Sequence, residues 1–430
     1  MVKVIDVPGS YGLPVAGLVY HTAGFLWNWH EYFVKRQRTL RSNVFKTNFG
    51  MKAIALMDWQ SLASVFDTGN IRKEYGFGPA IPQRALVGNE VPTAFTNDQE
   101  HQQQKQFCFQ LLERYSPAIT QTFDEVLDDY LQRWDQLKTF VWDDEIEAFW
   151  SDFLFQWVLD VRPRQGLVHI WIMNIFSSRA AAHPWSGFAR SERAYTELIE
   201  LVHSSPRFSE IAELALRIAN LDENQTAKQL LFYLGFNAWG GLQGLAKSVL
   251  AELSLHPQIQ SRIADEVSSS TTNEPHNLPL VRNTVYEVLR MHPPVFFVYG
   301  ILKKDTVIES STGTYRARRG ERLVGNLWFA QRDATVFESP EELNPDRFQD
   351  TSRLKYLMWA NGYGNDDSTP QNRMCAGKTT VYTLMSHLVA GVSGRTRWEV
   401  SADPYWSTRK FIPAGVPTNR LHVSHFEREA

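Results

Sequence analysis

The run from Asp222 to Leu253 constrains the fold of this chain more than any other stretch. Small or apolar residues recur at Ala227, Leu231, Leu234, Ala238, Gly241, Leu245, Val249 and Leu253, the three-to-four spacing of one helix face. His256-Pro257 stops the pattern. At 1.5 Å per residue such a helix measures on the order of 50 Å, long enough to cross a whole domain. Its middle reads Gly235-Phe236-Asn237-Ala238-Trp239-Gly240-Gly241. Adjacent glycines inside a helix cost about 1 kcal/mol each against alanine. Either a bulky ligand lying against this face or close helix–helix packing would offset that cost. In the first case the Asn237 amide, one turn before Gly241, points toward the same ligand.

The remaining pattern is mostly helical. Helical spacing covers Trp27–Arg41, Ser61–Phe66, Phe123–Phe140, Ile146–Val158, Ser191–His203, Ile211–Asn220 and Pro279–Met291, and a capping signature at Asn97-Asp98-Gln99-Glu100 opens a helix running through Leu112. Alternating residues at 43–48 and 51–56 predict a hairpin; strands are expected at 295–302, 313–319 and 322–327, and a terminal hairpin at 409–413 and 420–426. The proline- and glycine-rich loop at 77–95 is long enough to be functional. With 430 residues, 43% of them hydrophobic, the chain can bury a large core, and a net charge of -3 without a lysine–arginine run argues against a nucleic-acid surface. Cys108 and Cys375, the two cysteines, make no disulfide framework, which fits a reducing compartment. The apolar segment near 15–29 falls short of the roughly 20 apolar residues a membrane span needs. A cytoplasmic protein that touches a membrane surface is the expectation.

Cys375 lies between a turn-forming loop, 361–374, and a helix expected to open at Ala376-Gly377-Lys378. Helix-end dipoles and loop N–H groups favour thiolate over thiol there. Ala376 and Gly377 let a flat ligand approach the backbone, and Arg373 is placed to pair with a carboxylate at that ligand's edge. A single thiolate is one of the few axial ligand types of haem iron; a buried apolar cysteine is the other reading. His101 and Lys105, four apart on one helix face, read most simply as solvated unless an anionic ligand lies beside them.

Three further motifs complete a sequence order. They are Glu287-x-x-Arg290, then Asn344-Pro345-Asp346-Arg347-Phe348, then the Cys375 loop, all following the glycine-bearing helix. This order resembles the cytochrome P-450 haem-thiolate superfamily over about the whole chain. The resemblance implies a mainly α fold with small β-sheets, a single domain over 1–430, and haem b between the long central helix and the cysteine-loop helix. It implies that Cys375 is the axial iron ligand, that Arg373, His101, Lys105, Gly241 and Gly377 bind the cofactor, and that Glu287, Arg290 and Arg347 form a structural triad.

The departures from that superfamily narrow the reading. Monooxygenases place an acid and a threonine midway along the long helix; here Asn237-Ala238-Trp239-Gly240-Gly241 stands instead, and Ser368 replaces the aromatic residue of the cysteine loop. Phe236 to Gly241, Tyr286 to Arg290, Trp359 to Gly362 and Asn372 to Lys378 resemble the branch that metabolises fatty-acid hydroperoxides: allene oxide synthases, hydroperoxide lyases, divinyl ether synthases and epoxyalcohol synthases. That branch implies an isomerase or lyase acting on a polyunsaturated fatty-acid hydroperoxide, without dioxygen, NADPH or a reductase, with Asn237 as the catalytic polar residue. Non-plant epoxyalcohol synthases are the preferred match. Phe95, Phe236, Gly240, Ile412 and Pro413 are expected in the substrate pocket. A dioxygen-dependent monooxygenase or a non-catalytic haem-binding protein would stand as the other classes.

Overall fold

The computed structural model describes residues 3–74, 83–176, 184–272, 274–409 and 414–428. They form two compact units, one of Met1–Glu74, Asn283–Lys378 and Tyr405–Asn419, the other of Tyr75–Arg282, Thr379–Pro404 and Arg420–Ala430.

The first unit is organised by a five-stranded sheet in the order Val44–Thr47, Ala53–Leu56, Arg322–Asn326, Phe297–Leu302, Ile71–Arg72. Its opening hairpin pairs Val44 with Leu56 and Thr47 with Ala53. Val44, Ile54, Leu56, Leu302 and Leu323 are buried against Leu62 and Val65 of the helix Trp59–Phe66. That helix starts where it does because the Asp58 carboxylate accepts the Ser61 N–H at 3.1 Å. A second sheet joins Val4–Asp6, Gly313–Ala317 and Thr306–Ser310.

Near the N-terminus the structure has two helices where one was expected, Pro14–Trp27 and Trp29–Leu40. Asn28 separates them: its backbone is extended and its side chain accepts the Glu31 N–H at 3.0 Å. The strand Thr306–Ser310 is also additional to the sequence reading.

Long helices dominate the second unit. Phe123, Phe149 and Phe153 pack edge to face with ring centroids 5.3 and 5.0 Å from Phe123. The helix expected at 97–112 runs further, over Asp98–Tyr115. Helices at Leu167–Phe176 and Pro257–Ser269 were not legible in the pattern. The terminal hairpin is corrected: His422–Arg428 pairs antiparallel with Thr396–Val400 and with Phe140–Val141. Residues 410–413 of the expected partner lie outside the described residues.

The main correction concerns the long helix. It is α-helical over Glu223–Leu231 and Trp239–Leu255, but Phe232–Ala238 between them is a π-helix. Its start follows the sequence closely, with a reciprocal capping box between Asp222 and Gln225. Among the described residues, no helix is long and apolar enough to cross a membrane.

Candidate active site

Cys375 belongs to the first unit. The loop before it is folded on itself by short-range bonds rather than by packing alone. The Asn372 side chain accepts the Thr369 and Met374 N–H groups, each at 3.2 Å, and donates to the Asp367 carbonyl at 2.7 Å. Ser368 donates to the Met374 carbonyl at 3.2 Å. Lys378 donates to the carbonyls of Gly364 and Asp366 at 2.6 and 2.7 Å, closing the loop's other side. The following helix begins at Lys378, two residues later than the sequence suggests, which leaves Cys375, Ala376 and Gly377 half-buried in the turn before it.

Glu287, Arg290 and Arg347 come together in the same unit. Arg290 grips the Glu287 carboxylate through two bonds of 2.8 Å, and Arg347 donates to the same carboxylate at 3.2 Å. Arg290 also donates to the main-chain carbonyls of Gln331 and Pro340 at 2.9 and 2.8 Å. Glu287 and Arg290 are wholly buried, so their charges rely on this pairing. The Gln331 side chain in turn accepts the Met358 N–H at 2.8 Å. Met358 bridges Tyr363, and Ala360 bridges Met374 next to the cysteine.

Lys73 is a candidate site residue that sequence reasoning missed. It is buried and donates to Asn361 at 2.8 Å and to the Tyr299 carbonyl, with its ammonium 5.1 Å from the Tyr299 ring centre. Burial, then the nearby Arg373 charge, pushes its ammonium down to about 7. Two cations held this close beside a cysteine loop suit an anionic ligand. Neither flanking sequence nor helical periodicity marks Lys73, because Arg373 approaches it from three hundred positions away.

In the second unit, His101 and Lys105 are buried rather than solvated, which corrects the plainer reading of their spacing. His101 Nδ1 bonds the Thr93 carbonyl at 3.0 Å, and the Lys105 ammonium lies 5.6 Å from the Phe109 ring centre. Thr93 ties this corner together: its hydroxyl contacts Gln104 at 2.9 Å, Gln229 at 3.1 Å and the Tyr233 hydroxyl at 2.5 Å. Tyr233 lies within the π-helix, so that segment is anchored to the turn that carries Phe95.

Asn237 is exposed and Phe236 half-buried, on the last turn of that π-helix. The glycines behave differently from one another. A methyl group on Gly235 would lie 2.6 Å from the Trp171 ring, so this glycine serves packing. Methyl groups on Gly240 or Gly241 would meet nothing within 4 Å among the described residues. Ile412 and Pro413 lie outside the described residues.

The first unit's donor chemistry fits a haem: a half-buried thiol precedes a helix, and the Arg373 charge bears on the buried Lys73.

The family model for Cytochrome P-450 matches residues 246–370. Those residues carry a cytochrome P-450 family domain. The family's cofactor is haem, and the fold agrees. Cytochrome P-450SP alpha in complex with (R)-ibuprophen superposes with a TM-score of 0.76 at 17% identity, covering 94% of this chain and 98% of that one. A variant of cytochrome P-450 OleT in complex with arachidonic acid gives 0.79 at 13% identity, covering 99% of each. Curated relatives in the family include a divinyl ether synthase from Selaginella moellendorffii, 27% identical over 94% of this chain and 93% of its own length. They also include a chloroplastic allene oxide synthase from Linum usitatissimum, 27% identical over 87% and 79%. A chloroplastic fatty acid hydroperoxide lyase from Solanum lycopersicum is 27% identical over 90% and 92%.

Proposed function

We propose that this chain is a haem-thiolate isomerase that converts polyunsaturated fatty-acid hydroperoxides into epoxyalcohols without dioxygen, NADPH or a reductase. The observation that carries the proposal is the composition of the long helix. From Ala227 to Lys247 it holds no Asp, Glu, Ser or Thr. Dioxygen activation needs a general acid there; a hydroperoxide brings its own oxidant and does not.

In this reading Cys375 would supply a thiolate to the haem iron, Arg373 and Lys73 would pair with a haem carboxylate, and His101 and Lys105 would be further cationic partners. Bound haem supplies homolytic cleavage of the O–O bond, which electron donation from a thiolate favours. The product is an isomer of the substrate, so no atom or electron enters from elsewhere. Asn237 offers both a donor and an acceptor and holds the peroxide group in place. Phe95, Phe236 and Gly240 border the acyl chain and keep water away from the carbon radical. The Glu287–Arg290–Arg347 network fixes the loop that presents Cys375.

The names of the curated relatives favour a second set of products: an allene oxide, a divinyl ether, or the fragments a lyase releases. The test is to mix the purified protein with a polyunsaturated fatty-acid hydroperoxide, without reductant, and identify products by mass spectrometry. Fast loss of the conjugated-diene absorbance with an epoxyalcohol product supports the proposal. Ketols derived from an allene oxide, divinyl ethers or short aldehydes support the second set.

The helix Pro14–Trp27 carries no Asp, Glu, Lys or Arg, and Val15, Val19, Leu26 and Trp27 are exposed on it at 75, 61, 66 and 77%. We propose that this surface rests on a membrane, where fatty-acid hydroperoxides partition.

A further inference from the structure

A cluster in the second unit, outside the haem-thiolate residues, has the form of a metal site. Glu274 and His276 flank Pro275 at the short 3-10 turn Pro275–Asn277, and His387 lies mid-way along the helix Lys378–Gly394. One ligand atom from each lies within 4.8 Å of the others. His276 Nδ1 is 3.4 Å and His387 Nε2 3.8 Å from the same Glu274 oxygen.

The histidine nitrogens point to a missing ligand. His276 Nδ1 and His387 Nε2 are both shielded from solvent and lack a hydrogen-bond partner among the described residues, and His387 is only 4% exposed. Leaving a buried polar atom unsatisfied is costly, and a bound ion would remove that cost. The other nitrogen of His387 is occupied: Nδ1 bonds Asp124 Oδ1 at 2.9 Å. With its proton held on that side, His387 presents the Nε2 lone pair to the cluster. A carboxylate behind a histidine is the usual outer shell of a metal-bound imidazole. Tetrahedral ligands at about 2.0–2.1 Å from zinc stand roughly 3.4 Å from one another, close to the two spacings seen. The Glu274 side chain is 48% exposed, which gives an ion a way in and leaves room for water as a fourth ligand.

We propose that Glu274, His276 and His387 bind a divalent transition-metal ion, zinc foremost, with Asp124 orienting His387. Two imidazoles and one carboxylate suit zinc better than calcium or magnesium, which take oxygen ligands. The ion staples the turn after the helix Pro257–Ser269 to the helix carrying His387.

The test uses full-length, haem-loaded protein stripped with EDTA, desalted and titrated with zinc by calorimetry. Zinc K-edge absorption then reads the ligands without interference from iron. A single zinc per chain is expected, with imidazole scattering and a shell at about 2.0–2.1 Å. Glu274→Ala and His276→Ala, both on the solvent side of the turn, should each abolish tight binding while the haem spectrum is unchanged. Asp124→Asn should weaken binding by about 10- to 100-fold. Wild-type protein that binds zinc no better than the Glu274→Ala/His276→Ala double variant, or a zinc shell without imidazole, overturns the proposal and leaves a histidine–carboxylate ion pair.

Discussion

The Gln331 side chain accepts the backbone N–H of Met358 at 2.8 Å, while its own carbonyl accepts from Arg290 at 2.9 Å. Gln331 therefore links the buried Glu287–Arg290 pair to the segment that leads into the cysteine loop. Replacing it with leucine of similar size keeps the packing and leaves the buried Met358 N–H without its acceptor. Gln331→Leu should cost about 1–3 kcal/mol in urea unfolding and weaken haem retention. Unchanged stability and haem content would show that the loop holds itself.

Lys73 gives a pH dependence with a defined sign. Its folded-state pKa, about 7, lies below the ordinary 10.5, so the unfolded chain binds more protons between those values. Stability of the haem-free protein should thus rise with pH from about 7 to 10.5, by at most about 1.4 kcal/mol per unit. Below pH 7 this contribution levels off. A bound carboxylate restores the charged lysine, so haem loading should flatten the slope, as should Lys73→Met in the haem-free protein. Equal slopes with and without haem would remove Lys73 from the site.

Asn237→Ala should slow hydroperoxide turnover on the order of 100-fold, by analogy with the loss of one preorganised hydrogen-bond donor. The Soret spectrum should be retained, since Asn237 is exposed and packs no core. An Asn237→Ala protein with full activity would assign the peroxide to another group.

The helix Pro14–Trp27 predicts binding to lipid. Wild-type protein should float with phosphatidylcholine vesicles, and Val19→Glu together with Leu26→Glu should leave it in the soluble fraction with its turnover of dispersed substrate intact. Equal flotation of the two proteins would exclude this helix as the contact.

Local signals were legible in the sequence and tertiary ones were not. The helix start at Asp222, the hairpin about Val44 and Leu56 and the motif order ending at Cys375 depend on residues a few positions apart. The π-helix at Phe232–Ala238 was not legible, because one widened turn barely disturbs a three-to-four repeat. Spacing alone leaves His101 and Lys105 on a solvated face; packing around Thr93, Gln104 and Tyr233 buries them. Lys73, Gln331 and His387 carry no local signature at all, since their partners lie far along the chain. The residues proposed to hold haem rest on the resemblance to the family and on donor chemistry.

The central claim is that the substrate supplies its own oxygen. The most direct measurement is anaerobic turnover of a polyunsaturated fatty-acid hydroperoxide carrying oxygen-18 at both peroxide atoms, without NADPH or a reductase. An epoxyalcohol that keeps both labels is the predicted result. No consumption until dioxygen, NADPH and a reductase are added would contradict it.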